Sequence, residues 1–208
     1  PADFVFIAME PSLQSWSTSP EDAQAQVASG FRNFLFSMED FVLHFCIRNY
    51  LCRQGETYCL TDLTKGAMPV TRARENRNQR YDRWYPLLLE ELALVAVPST
   101  GIFAIGRAVE HYLRRKRFDR PTVRLLHYSG RAAKHREKAV EGRQEEFERF
   151  AQALRPDTIL KAAEEVLTEA GSPPEMIART LTRLGRSEFT DSRKKLMFTY
   201  YIEFSRRA

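Results

Sequence analysis

Apolar positions along the chain fall into two rhythms. Residues 3–8 end in the nearly continuous run Phe4-Val5-Phe6-Ile7-Ala8, which leads into Met9-Glu10-Pro11-Ser12, the pattern of a buried strand that breaks into a polar turn. A polar loop rich in Ser and Gln follows. From Gly30 to Tyr50, Phe34, Met38, Phe41, Val42, Phe45 and Cys46 recur at helical spacing. Thr57–Leu63 is short and β-prone and predicts a second strand, and the arginine-rich stretch 71–83 reads as a loop or short helix. Trp84–Val95, with Leu87, Leu88, Leu92 and Val95 on one side, predicts a helix stopped by Pro98. Ile102–Ile105 predicts the third strand, Gly106 a tight turn into a helix over 107–115, and Val123–Leu126 the fourth strand, with a helix over 132–154 after it. Strands alternating with helices predict a three-layer αβα arrangement around a central, mostly parallel four-stranded sheet.

Beyond Arg155 only the helical rhythm persists. Two amphipathic helices, 157–170 and 174–184, are separated by Gly171-Ser172-Pro173-Pro174, and a last one over 191–205 has Asp191 as its expected N-cap. The expected division is therefore an α/β domain over 1–154 and a helical C-terminal extension over 155–208.

With 208 residues the chain can bury one good core plus an appendage. No apolar run approaches the roughly 20 residues of a membrane span, so no membrane partner is expected. The chain opens at Pro1 almost inside a strand, so its natural start is expected to lie upstream. Cys46, Cys52 and Cys59 read as reduced thiols of a cytoplasmic protein. They lack the fourth ligand and tight spacing of a metal or iron–sulfur site, and no cofactor is expected. The net charge of +5 is unevenly spread. Residues 1–71 hold four basic and eight acidic residues, whereas 107–138 holds eleven basic and three acidic. Arg72, Arg74, Arg77, Arg80 and Arg83 form a second cationic stretch. Both blocks lie beside expected strand-end loops, which favours contact with a polyanion over a merely solvated face.

The candidate chemistry sits at two strand ends. Glu10 follows the first strand, and His127-Tyr128-Ser129-Gly130 follows the fourth. A carboxylate can stabilise an oxocarbenium ion or orient the water that attacks it. An imidazole facing it can hydrogen-bond an oxygen of the leaving group as negative charge collects there. That division of labour suits cleavage between a sugar and a good leaving group.

Those residues carry a resemblance. Ala8-Met9-Glu10-Pro11-Ser12 resembles the first motif of the uracil-DNA glycosylase superfamily, G-x-[D/N/A]-P-x after strand 1. His127-Tyr128-Ser129-Gly130-Arg131 resembles its second motif, H-P-S followed by a wedge residue that fills the gap left by a flipped base. Cys59–Lys65 is similar to the strand that carries the base-reading residue, and Trp84–Ala108 to the helix–strand–Gly segment of that superfamily. The resemblance covers residues 3–150 and implies a DNA glycosylase that hydrolyses the N-glycosidic bond of a flipped base. It implies Glu10 and His127 as the catalytic pair, Asp62 as base reader, and Phe31 or Phe34 as the ring stacked on the base. It also implies Ser12 and Ser129 at backbone phosphates and Arg131 as the wedge. Lys134 and Arg136 lie in the cationic block expected to meet phosphate.

Departures from the pattern inform the substrate. Ala8 replaces Gly, Tyr128 replaces Pro, and Arg83, Trp84 and Tyr85 stand near where some branches carry an iron–sulfur cysteine. Asp62 takes the place of the Asn usual in uracil-directed enzymes. An ionised Asp only accepts hydrogen bonds, which suits the exocyclic amine of a cytosine-type base and repels O4 of uracil. Asp62 as a simple loop cap stays open beside this. A catalytically silent nucleic-acid-binding module and a small-molecule nucleoside hydrolase or transferase also fit the same residues. A DNA-repair role and a phage-defence role against foreign modified DNA fit equally.

Overall fold

A computed structural model describes residues 1–12, 17, 19–129 and 132–206. In chain order the elements are β1 (Ala2–Ala8), α1 (Pro20–Ala28), α2 (Met38–Tyr50), β2 (Tyr58–Asp62), a 3-10 turn (Val70–Arg72), α3 (Arg77–Val95), β3 (Ala96–Ile105), α4 (Arg107–Arg115) and β4 (Thr122–Leu125). Then come α5 (Ala133–Val140), α6 (Gln144–Ala153), α7 (Pro156–Glu169), α8 (Pro174–Gly185) and α9 (Asp191–Ser205). The fold is α/β. The four strands form one sheet in the order β2-β1-β3-β4, and every pairing is parallel.

The chain divides into two compact units, each built from separated pieces: residues 1–31 with 54–127, and 32–53 with 128–208. This division differs from the expected boundary at 154, because α2 and the segment from Tyr128 onward pack with the tail helices. In the first unit, Val5, Ile7, Ile102 and Ala104 of the central strands meet Tyr81, Leu88 and Leu92 of α3 and Val109, Tyr112 and Leu113 of α4 in one buried cluster. In the second, α2 packs on α7 and α9, and α5 on α9. Val140, Phe147, Phe198 and Ile202 form a core there, flanked by Phe150 stacked on Tyr201.

Several boundaries moved for identifiable reasons. The Ser/Gln-rich loop contains α1, capped by the Ser19 hydroxyl, which accepts from the Asp22 amide. α2 starts at Met38 rather than Gly30 because Ser37 and Asp40 form a reciprocal capping box. α3 begins seven residues before Trp84, since its buried stripe runs back through Tyr85 to Tyr81 and its chain carries Pro86 internally. β3 starts at Ala96 and includes Pro98, which lies where the β1–β3 register shifts between Ala2 and Phe4. A residue without an amide proton is tolerated at such an irregularity. The single helix expected over 132–154 is two, broken at Gly142 with φ +73°. The N-cap of α9 is Thr190, not Asp191.

His44 on α2 is buried, and its Nε2 donates to the carbonyl of Phe34 at 3.1 Å, which fixes the orientation of the ring. Burial lowers its pKa from 6.5 to about 4. Between those values the unfolded chain binds a proton that the folded chain refuses, so stability falls as pH drops through this window, by up to about 1.4 kcal/mol per pH unit. The urea midpoint is expected to fall between pH 7 and pH 4.5, and His44→Gln, which keeps an N–H for Phe34, should flatten that fall.

Candidate active site

An all-parallel sheet sends every strand end to one edge, and the chain reverses direction across the sheet between β1 and β3. A switch point of this kind, beyond the carboxyl ends of the strands, is where open parallel sheets place their ligands. Glu10 follows β1, Asp62 ends β2 opposite Ala8, Gly106 ends β3 and His127 follows β4. The loops after β1 and β2 stay in step. Leu63 and Thr64 donate to the carbonyls of Ala8 and Met9 at 2.8 and 3.0 Å, Met68 donates to Pro11, and Ser12 bridges Met68.

Gly106, at the end of β3, lies against His127. Its φ of +93° is left-handed, and a Cβ built there would lie 3.4 Å from both Cβ and Cδ2 of His127. The imidazole therefore lies over the bare backbone at the end of β3. That places it roughly 5 Å, one strand spacing, from the line of β1.

Glu10 is half-enclosed as a residue, but its side chain is only 5% exposed. Its Oε1 is 3.9 Å from Arg77 Nη2 and its Oε2 3.6 Å from Arg80 Nη2, close enough for ion pairing and too far for hydrogen bonds. Both guanidiniums are held in place by the turn before α3. Arg77 Nε and Arg80 Nη2 donate to the carbonyl of Ala73 at 3.0 and 2.9 Å, and Arg80 Nη1 donates to that of Glu75. Among the described residues, Glu10 Oε2, Arg80 Nε, the Tyr81 hydroxyl and Arg136 Nε are buried without a hydrogen-bond partner. Burial raises the Glu10 pKa above its ordinary 4.5, against the lowering pull of Arg77 and then Arg80. Burial also raises the Tyr81 phenol, and the neighbouring Glu10 charge adds to it.

Asp62 is 6% exposed. Its backbone is pinned by Lys65, whose Nζ donates to the Asp62 carbonyl at 2.7 Å, to Thr61 Oγ1 at 2.6 Å and to Glu91 Oε2 on α3 at 2.6 Å.

The first unit thus brings Glu10, Asp62 and His127 to one sheet edge, with Ser12 alongside and Phe31 half-buried within the same unit. Phe34 belongs to the second unit. It is buried at φ +65°, with its carbonyl taken by His44, and presents no open ring face to a base. Arg136 requires a correction as a phosphate contact. It is 2% exposed, and its two Nη atoms are spent on the carbonyls of Tyr128 and Ser129 and on Ser192. Arg77 and Arg80 are corrected in the same sense, since they face Glu10 rather than a polyanion. Lys134 is exposed, whereas the Ser129 carbonyl faces Arg136. Arg131 lies outside the described residues. The residues missed from sequence are Arg77, Arg80 and Tyr81 around Glu10, and Thr61, Lys65 and Glu91 behind Asp62. The 77/80/81 spacing on one helix face was the available signal.

No group of three or more His, Cys, Asp or Glu side chains among the described residues is arranged to hold a metal ion, and none of the described helices is long and apolar enough to cross a membrane. No protein family, curated protein or solved structure matches the chain.

Two outcomes follow. A folded-state pKa above 4.5 means that the Glu10 contribution is complete below pH 4.5 and is lost as pH rises through the folded value. Glu10→Gln escapes that loss, so its melting temperature at neutral pH should equal or exceed that of the wild type, with the difference vanishing below pH 4.5. Gly106→Ala forces a Cβ onto a left-handed backbone against His127 and should cost about 1–2 kcal/mol in chemical denaturation.

Proposed function

We propose that this chain is a DNA glycosylase that removes a flipped-out damaged or modified base and leaves an abasic site. The observation that supports the reading is the placement of Glu10, Asp62 and His127 at the carboxyl ends of parallel strands, with the Glu10 carboxyl buried beside Arg77 and Arg80. A costly buried carboxylate of this kind is more typical of a reaction site than of a structural contact. The short motifs around Glu10 and His127 support the same assignment and a glycosylase-type version of the α/β fold.

In this mechanism the bond from the sugar C1′ to the base nitrogen breaks, and its electron pair leaves with the base. His127 hydrogen-bonds a base oxygen that gains negative charge, and the Glu10 carboxylate offsets positive charge on the sugar. Water adds at C1′, and the proton it gives up neutralises the departing base anion. Asp62 accepts from the exocyclic amine of a cytosine-type base and disfavours uracil. Ser12 supplies a phosphate contact beside Glu10, whereas Arg114 and Arg117, where α4 ends before β4, lie toward the amino ends of the strands. Extruding the base costs a few kcal/mol, which phosphate contact and ring stacking offset.

The test is abasic-site formation, scored by alkali cleavage, on DNAs carrying uracil, deaminated purines and natural or modified cytosines. Product is expected on a cytosine derivative, with Glu10→Gln and His127→Ala each lowering the rate by about 10²–10³. Uracil preference would overturn the Asp62 assignment. DNA binding without product would identify a silent binding module, and turnover of free nucleosides without DNA binding a small-molecule enzyme.

A further inference from the structure

Two cations share one carbonyl oxygen at the start of α3. Arg77 Nε and Arg80 Nη2 both donate to the Ala73 carbonyl, at 3.0 and 2.9 Å. Like charges held this close repel, and a negative charge facing them offsets the repulsion. The carboxylate of Glu75, in the same turn, is taken by Arg72. α3 supplies none of its own, since its first turn has no acidic residue and Asn76 caps it without a side-chain hydrogen bond. The facing charge is Glu10, from the loop after β1. Its side chain is 5% exposed, with Oε1 3.9 Å from Arg77 Nη2 and Oε2 3.6 Å from Arg80 Nη2. The positive end of the helix adds to the same field. All of these residues belong to one compact unit.

We propose that Arg77 and Arg80 are positioning residues for Glu10, holding its carboxyl in the ionised form that offsets positive charge on the sugar. The catalytic consequence rests on the glycosylase reading, while the electrostatic support of Glu10 is a physical claim that stands apart. Burial favours the neutral acid, and Arg77 and then Arg80 oppose it. Tyr81 is the remaining titratable group at the carboxyl, and burial keeps its hydroxyl neutral. Among the described residues no further charged group acts on Glu10. Removing a guanidinium leaves burial less opposed. Protonation of Glu10 then begins at higher pH, and the acid side of the rate profile moves up with it. A phosphate contact behaves otherwise, because its loss weakens DNA binding at every pH and makes that binding less salt-dependent. Glutamine at either position removes the charge but keeps an N–H for the Ala73 carbonyl, and Arg80→Lys keeps the charge.

The experiment compares Arg77→Gln, Arg80→Gln and Arg80→Lys with the wild-type full-length chain. Carbon NMR of labelled glutamate carboxyls follows the titration of Glu10, whose signal is the one missing from Glu10→Gln. Single-turnover and steady-state base release, run from about pH 5 to about pH 8.5 at low and high salt, read kcat and KM. Expected is a Glu10 titration moved upward in both glutamine variants and restored in Arg80→Lys. At about pH 5 the kcat of the glutamine variants should fall about tenfold below wild type, the scale of losing one nearby opposite charge. At about pH 8.5 it should approach the wild-type value, with KM unchanged throughout. An unmoved titration in both glutamine variants would overturn the support of Glu10. A moved titration with a wild-type rate profile would overturn its role in the reaction. Equal losses at every pH, with weaker and less salt-dependent DNA binding, would make the arginines phosphate contacts and overturn the proposal. A wild-type protein that releases no base from any DNA, while the titration still moves in the variants, would fault the glycosylase reading and leave only the electrostatic support of the carboxyl.

Discussion

Parallel pairing is the constraint on which the rest depends. Because β1 runs in register with both β2 and β3, and β3 with β4, four separate stretches of chain must end at the same edge. Nothing local draws Glu10, Asp62 and His127 together, since 117 positions separate the first from the last. The hydrogen-bond ladder does so, and the loops refine it. The step-by-step pairing of residues 8–12 with 62–68 extends the ladder past the strands, and Gly106, bare of a side chain at φ +93°, packs against His127.

The surroundings of Glu10 stop short of a complete ion pair. Two guanidiniums anchored on the carbonyls of residues 73 and 75 approach the carboxylate without completing hydrogen bonds to it. Coulombic attraction keeps a charge in an enclosed place, while the incomplete hydrogen bonding leaves Oε2 able to accept from a newcomer. A purely structural ion pair gains most from close, bidentate geometry. This one stops short of it.

The strands were legible because buried parallel strands are short apolar runs, and β1, β2 and β4 lie within a residue or two of where those runs place them. The helical tail was legible from its period and its Pro and Gly breaks. What escaped was decided by tertiary context. Tyr81 reads as one more residue in an arginine-rich loop until Leu88 and Leu92 are seen to continue its stripe into the core. Arg136 reads as surface charge because sequence cannot show that Tyr128, Ser129 and Ser192 converge on it. The strand-then-polar-turn pattern put Glu10 and His127 just past strand ends, where the sheet has them, whereas the guanidiniums facing Glu10 come from a helix that starts 67 residues later.

The interleaving of the two units also sets an order of events during synthesis. A chain emerging from its N-terminus has all four strands in hand by residue 127. By then α2 has long since been made, with Phe41, Val42, Leu43 and Ile47 destined for full burial, yet its partners α7 and α9 have not. For more than a hundred residues of translation that apolar helix waits for a surface, and contacts of such long range are slow to close. The helical unit is complete only when the last helix arrives, so the final fifteen residues of structure govern when a helix made in the first quarter of the chain stops being a liability.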